Sequence, residues 1–219
     1  MAAAFLSFEG IDGCGKSTQL RLLASLLRLR GVEVVTTREP GGTPLGQQLR
    51  HVLLEAETLV DPLAELLLYA ADRAQHVRTL VRPAIEAGQI VLTDRYADAT
   101  VAYQGAGRGF EAGVVAEIVR LATGGLKPDL TLLFDLPVAD ARERARNQRR
   151  RPERPEGDKI EAEEATFHER VRACYLRLAA EESERVRVVD SARSIEEIHQ
   201  HVLDIVTPFL EKQRLEVRG

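Results

Sequence analysis

Five short apolar runs, at residues 5–9, 33–37, 90–94, 130–135 and 187–190, punctuate the chain, and longer stretches of mixed polarity lie between them. Near-continuous hydrophobicity, as in Phe5-Leu6-Ser7-Phe8 or Ile90-Val91-Leu92, marks a strand covered on both faces. In the intervening stretches apolar positions recur every three to four residues, the spacing of amphipathic helices. That periodicity predicts helices over about 16–29, 45–55, 61–87, 111–123, 138–148, 160–183 and 194–213. Strands alternating with helices define an α/β fold in three layers, a five-stranded parallel sheet with helices on both faces. No period repeats, and residues 1–219 read as one domain. Ligands of such sheets sit at the carboxyl ends of the strands. The polar residues that close the strands, Glu9, Arg38-Glu39, Asp94-Arg95 and Asp135, are therefore the first candidates for chemistry.

The first run opens into Gly10-Ile11-Asp12-Gly13-Cys14-Gly15-Lys16-Ser17, which fits G-x-x-x-x-G-K-[ST], and a helical pattern follows at once. Strand, glycine loop and helix in that order are the context of a phosphate-binding P-loop. Its backbone N–H groups and the helix N-terminus cradle phosphate oxygens. Lys16 reaches the outer phosphates and the Ser17 hydroxyl ligates Mg²⁺. Asp94, closing an apolar run, stands where a second carboxylate would hold that ion, directly or through water. The Cys14 thiol, beside a helix N-terminus, is expected to have a lowered pKa and to be reactive.

With a polyphosphate site in view, residues 149–157 change meaning. Arg149-Arg150-Arg151-Pro152-Glu153-Arg154-Pro155-Glu156-Gly157 is basic and broken by prolines. It reads either as a solvated loop or as an arginine-rich lid, about 147–158, closing over the phosphates. Asp158 with Glu161 fits a helix cap after it, and Phe167, Val171 and Leu178 mark a buried stripe. Arg95 suits bidentate binding of a second phosphate. Arg38-Glu39-Pro40-Gly41-Gly42-Thr43 is a rigid turn, ordinary or facing a ligand. Tyr69 and Arg73, four residues apart, share a helix face. They bracket a planar base, or they are a core tyrosine with a snorkelling arginine. Thr100, Tyr103 and Gln104, read as a loop, meet either the edge of a base or the local backbone.

A net charge of −4 and a pI near 5.8 argue against a dedicated nucleic-acid binder. Two cysteines form no disulfide framework, which points to a reducing, cytoplasmic setting. No signal peptide is read, and no apolar run is long enough to span a bilayer.

Taken together the motifs resemble the bacterial thymidylate kinase family. The stretches that carry the resemblance begin with Phe8-Glu9-Gly10 through Thr18, Thr37-Arg38-Glu39-Pro40-Gly41-Gly42-Thr43 and Ala71-Asp72-Arg73-Ala74-Gln75-His76. Asp94-Arg95-Tyr96, Ala102-Tyr103-Gln104-Gly105, Lys127-Pro128-Asp129-Leu130, Asp158-Lys159-Ile160-Glu161 and Phe167 to Arg172 continue it in family order. The resemblance implies a P-loop NTPase fold, ATP-dependent phosphorylation of dTMP to dTDP with Mg²⁺, and a homodimer. It implies that Gly10 to Thr18 hold ATP and that Asp12 faces the dTMP 3′-hydroxyl and helps organise the metal. Glu39 is implied near the sugar or acceptor phosphate, and Arg50 and Arg95 on that phosphate. Tyr69 takes the place of the thymine-stacking phenylalanine, with Arg73, Thr100 and Gln104 reading the base and Tyr103 crowding the sugar. Thr100 stands where serine or asparagine is common, and Lys159 where arginine is usual. Gly13 assigns the chain to the class that takes its catalytic arginine from the lid, here Arg149, Arg151 or Arg154. Catalysis is then positioning and charge neutralisation by Lys16, Asp12, Arg95 and the lid. Other readings at this stage are a different nucleoside monophosphate kinase, a deoxynucleoside kinase, a GTP-dependent switch, for which no N-K-x-D is found, and an ATP-binding assembly factor.

Overall fold

The computed structural model describes residues 3–55, 59–149, 160 and 163–216. Strands β1 (Ala4–Glu9), β2 (Val34–Arg38), β3 (Ile90–Asp94), β4 (Leu130–Asp135) and β5 (Val186–Asp190) form one sheet in the order β2-β3-β1-β4-β5. Every pairing is parallel; β1 aligns Phe8 with Asp94 of β3 and with Leu132 of β4. The central strands are buried along their length while β2 and β5 are partly exposed, as edges must be. Side chains alternate across the sheet. Ala4, Leu6 and Phe8 face one apolar cluster with Leu92, Leu132 and Phe134; Phe5 and Val91 face another with Val77, Val81 and Tyr96. Each such burial contributes roughly 1.5–3 kcal/mol, so the two-sided core fixes the strand ends that carry the polar residues.

The helices are α1 (Lys16–Leu29), α2 (Pro44–Arg50), α3 (Pro62–His76), α4 (Arg82–Glu86), α5 (Ala97–Thr100), α6 (Ala112–Thr123), α7 (Val138–Arg149), α8 (Ala165–Glu181) and α9 (Ile195–Glu216). The Thr43 side chain caps α2 by accepting from Gly46 N–H, and Asp61 caps α3 by accepting from Leu63 N–H, each with proline at the start of the helix. The pattern over 61–87 is realised as one helical run in which the π-helical turn Val77–Val81 joins α3 to α4. That widened turn sits just before Pro83, which cannot donate to a regular helix. Two further π-helical segments, His51–Glu55 and Val101–Gly107, extend α2 and α5.

Residues 97–107 are therefore helical, and the expectation of a loop there is corrected. Thr100, Tyr103 and Gln104 are all buried. With polar groups on the inward face, the apolar periodicity that announces a helix is inverted. Gly107 lets α8 close on this segment: a Cβ there would lie 2.6 Å from the Phe167 ring. Among the described residues no helix is long and apolar enough to cross a membrane.

Candidate active site

At the carboxyl end of β1 the chain turns through Gly10, Gly13 and Gly15, whose φ values are +134°, +85° and +94°. The left-handed region is costly for any residue with a Cβ. Space excludes one as well: a Cβ on Gly10 would lie 2.5 Å from the Phe134 carbonyl oxygen, and one on Gly13 would lie 2.1 Å from the Ala141 carbonyl oxygen of α7. The loop is thus pressed between the end of β4 and the body of α7, and α1 begins directly at Lys16. Cys14 is a correction. Its thiol is fully buried, and burial pushes its pKa up, not down. Proximity to the helix N-terminus does not offset the loss of water around a thiolate, so Cys14 lines the loop as an inert packing group.

Lys16 lies 3.5 Å from Asp12, and Arg95 donates to the same Asp12 oxygen at 2.9 Å. Burial alone would raise the Asp12 pKa; the Arg95 and Lys16 charges overcome it and hold the carboxyl well below the usual range. The Ser17 hydroxyl donates to Asp94 Oδ2 at the end of β3. A hydroxyl beside a carboxylate is the hard-oxygen donor set that suits Mg²⁺, which takes one or two protein ligands and draws the others from phosphate and water.

Arg95 has φ +70° and is the one non-glycine with positive φ among the described residues. Its neighbours hold that conformation on every side. Arg95 N–H donates to Phe8 O at 3.0 Å, and the Thr93 hydroxyl donates to Arg95 O at 2.9 Å. Tyr96 N–H donates to Glu9 Oε1 at 2.7 Å, while the Tyr175 hydroxyl donates to Glu9 Oε2 at 2.7 Å. Glu9 is wholly buried, and burial with the nearby Asp98 charge pushes its pKa up to about 8. The guanidinium so placed donates to the Tyr103 hydroxyl at 2.9 Å and rests 4.6 Å from the centre of its ring.

Arg73 is buried and fixed from three directions. It donates to Glu39 Oε2 at 2.8 Å, to the Thr100 hydroxyl at 2.7 Å and to Tyr96 O at 2.8 Å. The other Glu39 oxygen meets His76 Nδ1 at 2.7 Å, and His76 Nε2 meets the Thr37 hydroxyl at 2.7 Å. Glu39 therefore spends both oxygens holding α3. Asp72 accepts from Gly41 N–H at 3.1 Å and is pushed up to about 6 by burial and by Glu39. Arg50 donates to Pro40 O at 3.2 Å. Gln104 donates its amide N–H to Glu65 Oε1 at 2.8 Å.

Many of these groups line one cavity of about 790 Å³, large enough for a nucleotide. Asp12, Lys16, Ser17, Asp94 and Arg95 line its end at the glycine loop, and Glu39, Arg50, Tyr69, Arg73, Thr100, Tyr103 and Gln104 line it further along, with Ala145 of α7 and Ile160 as a further wall. Arg151 and Arg154 lie outside the described residues, as do Asp158 and Glu161; Arg149 ends α7, and its side chain is likewise outside them. The expected helix start near residue 160 with an Asp158 cap is corrected: α8 begins at Ala165, and Glu164 is its N-cap. Behind the cavity lies a layer of Glu65, Asp72, His76 and Tyr175; the sequence reading had Asp72 and His76 in a motif but gave them no role, and it missed Glu65 and Tyr175. A signal for three of the four exists, since Glu65, Asp72, Arg73 and His76 are the buried polar residues of one helix. Their spacing of three, four and seven residues puts them on one face with Tyr69.

A glycine loop at the end of the central strand, a Ser–Asp pair beside it and a guanidinium-rich cleft beyond define a P-loop NTPase-fold protein with room for a second phosphorylated ligand. A family model described as Thymidylate kinase matches residues 8–202. A thymidylate kinase of Clavibacter michiganensis subsp. michiganensis is 52% identical over 198 residues, covering 90% of this chain and 92% of that protein. One from Halothermothrix orenii is 46% identical over 212 residues, covering 97% and 100%. The crystal structure of a thymidylate kinase from Ehrlichia chaffeensis superposes with a TM-score of 0.75 at 32% identity, covering 94% of this chain and 99% of that one. The chain belongs to the thymidylate kinase family, and is accordingly a nucleoside monophosphate kinase, a transferase.

Proposed function

We propose that the chain transfers the γ-phosphoryl group of ATP to dTMP, giving dTDP and ADP, with Mg²⁺ bound. The observation that carries this reading is the junction at Asp12. Lys16 from the donor loop and Arg95 from the acceptor side meet on one carboxylate, so the two phosphate sites abut. Gly10 to Thr18 cradle the ATP phosphates through backbone N–H groups. Arg95 and Arg50 hold the acceptor phosphate so that its oxygen attacks the γ-phosphorus in line, while Lys16 neutralises the equatorial oxygens. The lid arginines Arg149, Arg151 and Arg154 complete that charge. Ser17 and Asp94 would hold the Mg²⁺, which would supply further charge neutralisation. Tyr69 stacks on thymine, Arg73 and Gln104 meet its edge with Thr100 behind, and Tyr103 bounds the sugar opposite Glu39. Release of ADP in a coupled assay should follow dTMP strongly and AMP, CMP or GMP negligibly. Lys16→Ala should lower kcat by about a thousandfold, with the circular dichroism spectrum unchanged; near-normal turnover by that variant overturns the assignment.

We further propose a homodimer. Helices α3 and α6 pack side by side and leave Leu63, Leu67, Val114 and Leu121 exposed, an apolar face on the side of α3 away from the cavity.

A further inference from the structure

Gln104 is chemically ambiguous: rotated by half a turn, its side chain exchanges a donor for an acceptor. What settles its orientation is Glu65, a residue outside the cavity lining. Glu65 is buried, and its Oε1 accepts the Gln104 amide at 2.8 Å. A carboxylate accepts and does not donate, so it takes the nitrogen end. The carbonyl oxygen is then the end of the amide left for the cavity that Gln104 lines. Glu65 is itself held on both oxygens. Arg108 donates to Oε1 at 3.2 Å and to Oε2 at 2.9 Å, and the same guanidinium pairs with Glu163 and lies 5.0 Å from the centre of the Phe167 ring. A bidentate arginine anchored by a second acid and an aromatic ring is a rigid support, and through it the orientation of one amide is fixed from α3 and α8 together.

The consequence lies in which base edge the cavity accepts. Arg73, a pure donor, lines the same cavity. An acceptor beside a donor complements an imide edge, N–H beside C=O, as in thymine and uracil. Cytosine offers the reverse, a bare ring nitrogen beside an amino group, and would set acceptor against acceptor and donor against donor.

We propose that Glu65 is a specificity-determining positioning residue: by holding the Gln104 nitrogen it presents the carbonyl oxygen to the base, and so selects pyrimidine monophosphates with an imide edge over those with an amino-pyrimidine edge. The proposal rests on the reading that Gln104 meets the base. Glutamine at position 65 offers either end to Gln104 and removes the constraint. A buried mismatched contact costs roughly fivefold to a hundredfold in affinity.

The test measures kcat and KM for dTMP, dCMP and ATP in wild type, Glu65→Gln, Glu65→Asp, Gln104→Ala and the Glu65→Gln/Gln104→Ala double variant. Expected for Glu65→Gln are a KM for dTMP raised about tenfold, a KM for ATP within about twofold, and a dTMP-to-dCMP ratio of kcat/KM narrowed about tenfold. Glu65→Asp, still acceptor-only, keeps the ratio even where its shorter reach raises KM. In the Gln104→Ala background Glu65→Gln adds nothing further, because both act through one amide. If Gln104→Ala raises the KM for dTMP while Glu65→Gln leaves KM and ratio unchanged, or if the two effects multiply independently, the proposal is overturned. Should Glu65→Gln fail to fold, a Glu65→Asp ratio as low as that of Gln104→Ala overturns it alone. A wild-type KM for dTMP in Gln104→Ala overturns the base-contact reading beneath it, a different failure read in a different variant.

Discussion

Arg95 and Arg73 show how a charged side chain is made into a fixed instrument. Neither is held by one partner. Arg95 is forced into a left-handed backbone conformation, a strain of order 1–3 kcal/mol, and backbone, Thr93 and Glu9 bonds on both sides sustain it. Glu9 makes a distinct prediction through its raised pKa of about 8 against an ordinary 4.5. Folded protein keeps a proton that the unfolded chain releases, so stability falls as pH rises from about 4.5 to about 8, with a slope of at most about 1.4 kcal/mol per pH unit. Glu9→Gln preserves an acceptor for Tyr96 N–H and places a donor toward the Tyr175 oxygen. Denaturant unfolding at pH 5, 6.5 and 8 should show the variant gaining on wild type as pH rises; parallel profiles would show that Glu9 is charged in the native state.

Among elements, the contact of the P-loop with α7 links nucleotide binding to the helix that leads toward residues 150–159. Gly13 and Gly15 separate backbone strain from that contact. Both have positive φ, but a Cβ on Gly15 meets nothing within 4 Å, whereas one on Gly13 strikes the Ala141 carbonyl at 2.1 Å. Without ligand, Gly13→Ala should therefore lower Tm several degrees more than Gly15→Ala, read by thermal unfolding. Equal shifts would mean that α7 does not bear on the loop. The strands and long helices were legible in the apolar pattern because the core is two-sided and β1, β3 and β4 lie within it. The glycine loop at the end of β1 was legible because a P-loop is written in consecutive residues. What was not legible is assembled across the chain: the helix at 97–107, whose polar face turns inward, the Cys14 thiol, whose burial outweighs its helix terminus, and the pairings of Glu65 with Gln104 and of Tyr175 with Glu9, which span 39 and 166 positions.

Across the folded chain, Leu63 and Leu67 of α3 and Val114 and Leu121 of α6 are exposed, while Tyr69 and Arg73 of α3 line the cavity; the proposed dimer uses the exposed set. Leu67→Glu combined with Leu121→Glu should shift the protein from dimer to monomer in sedimentation while the far-ultraviolet dichroism is retained. An unchanged sedimentation coefficient would move the interface elsewhere. Because α3 carries both surfaces, the monomer should also show a weaker affinity for dTMP than for ATP relative to wild type.

Arg73, bound to Glu39, Thr100 and Tyr96 O before any ligand is present, has a thermodynamic consequence. A free arginine surrenders about 2 kcal/mol of rotamer entropy when a ligand immobilises it; here that loss has already been met during folding. Association of a matching base should then proceed with little entropic penalty from this side chain, whereas an unmatched base meets a guanidinium unable to swing aside. On the proposed base contact Arg73 is a fixed edge, and selection there comes from refusal more than from adjustment.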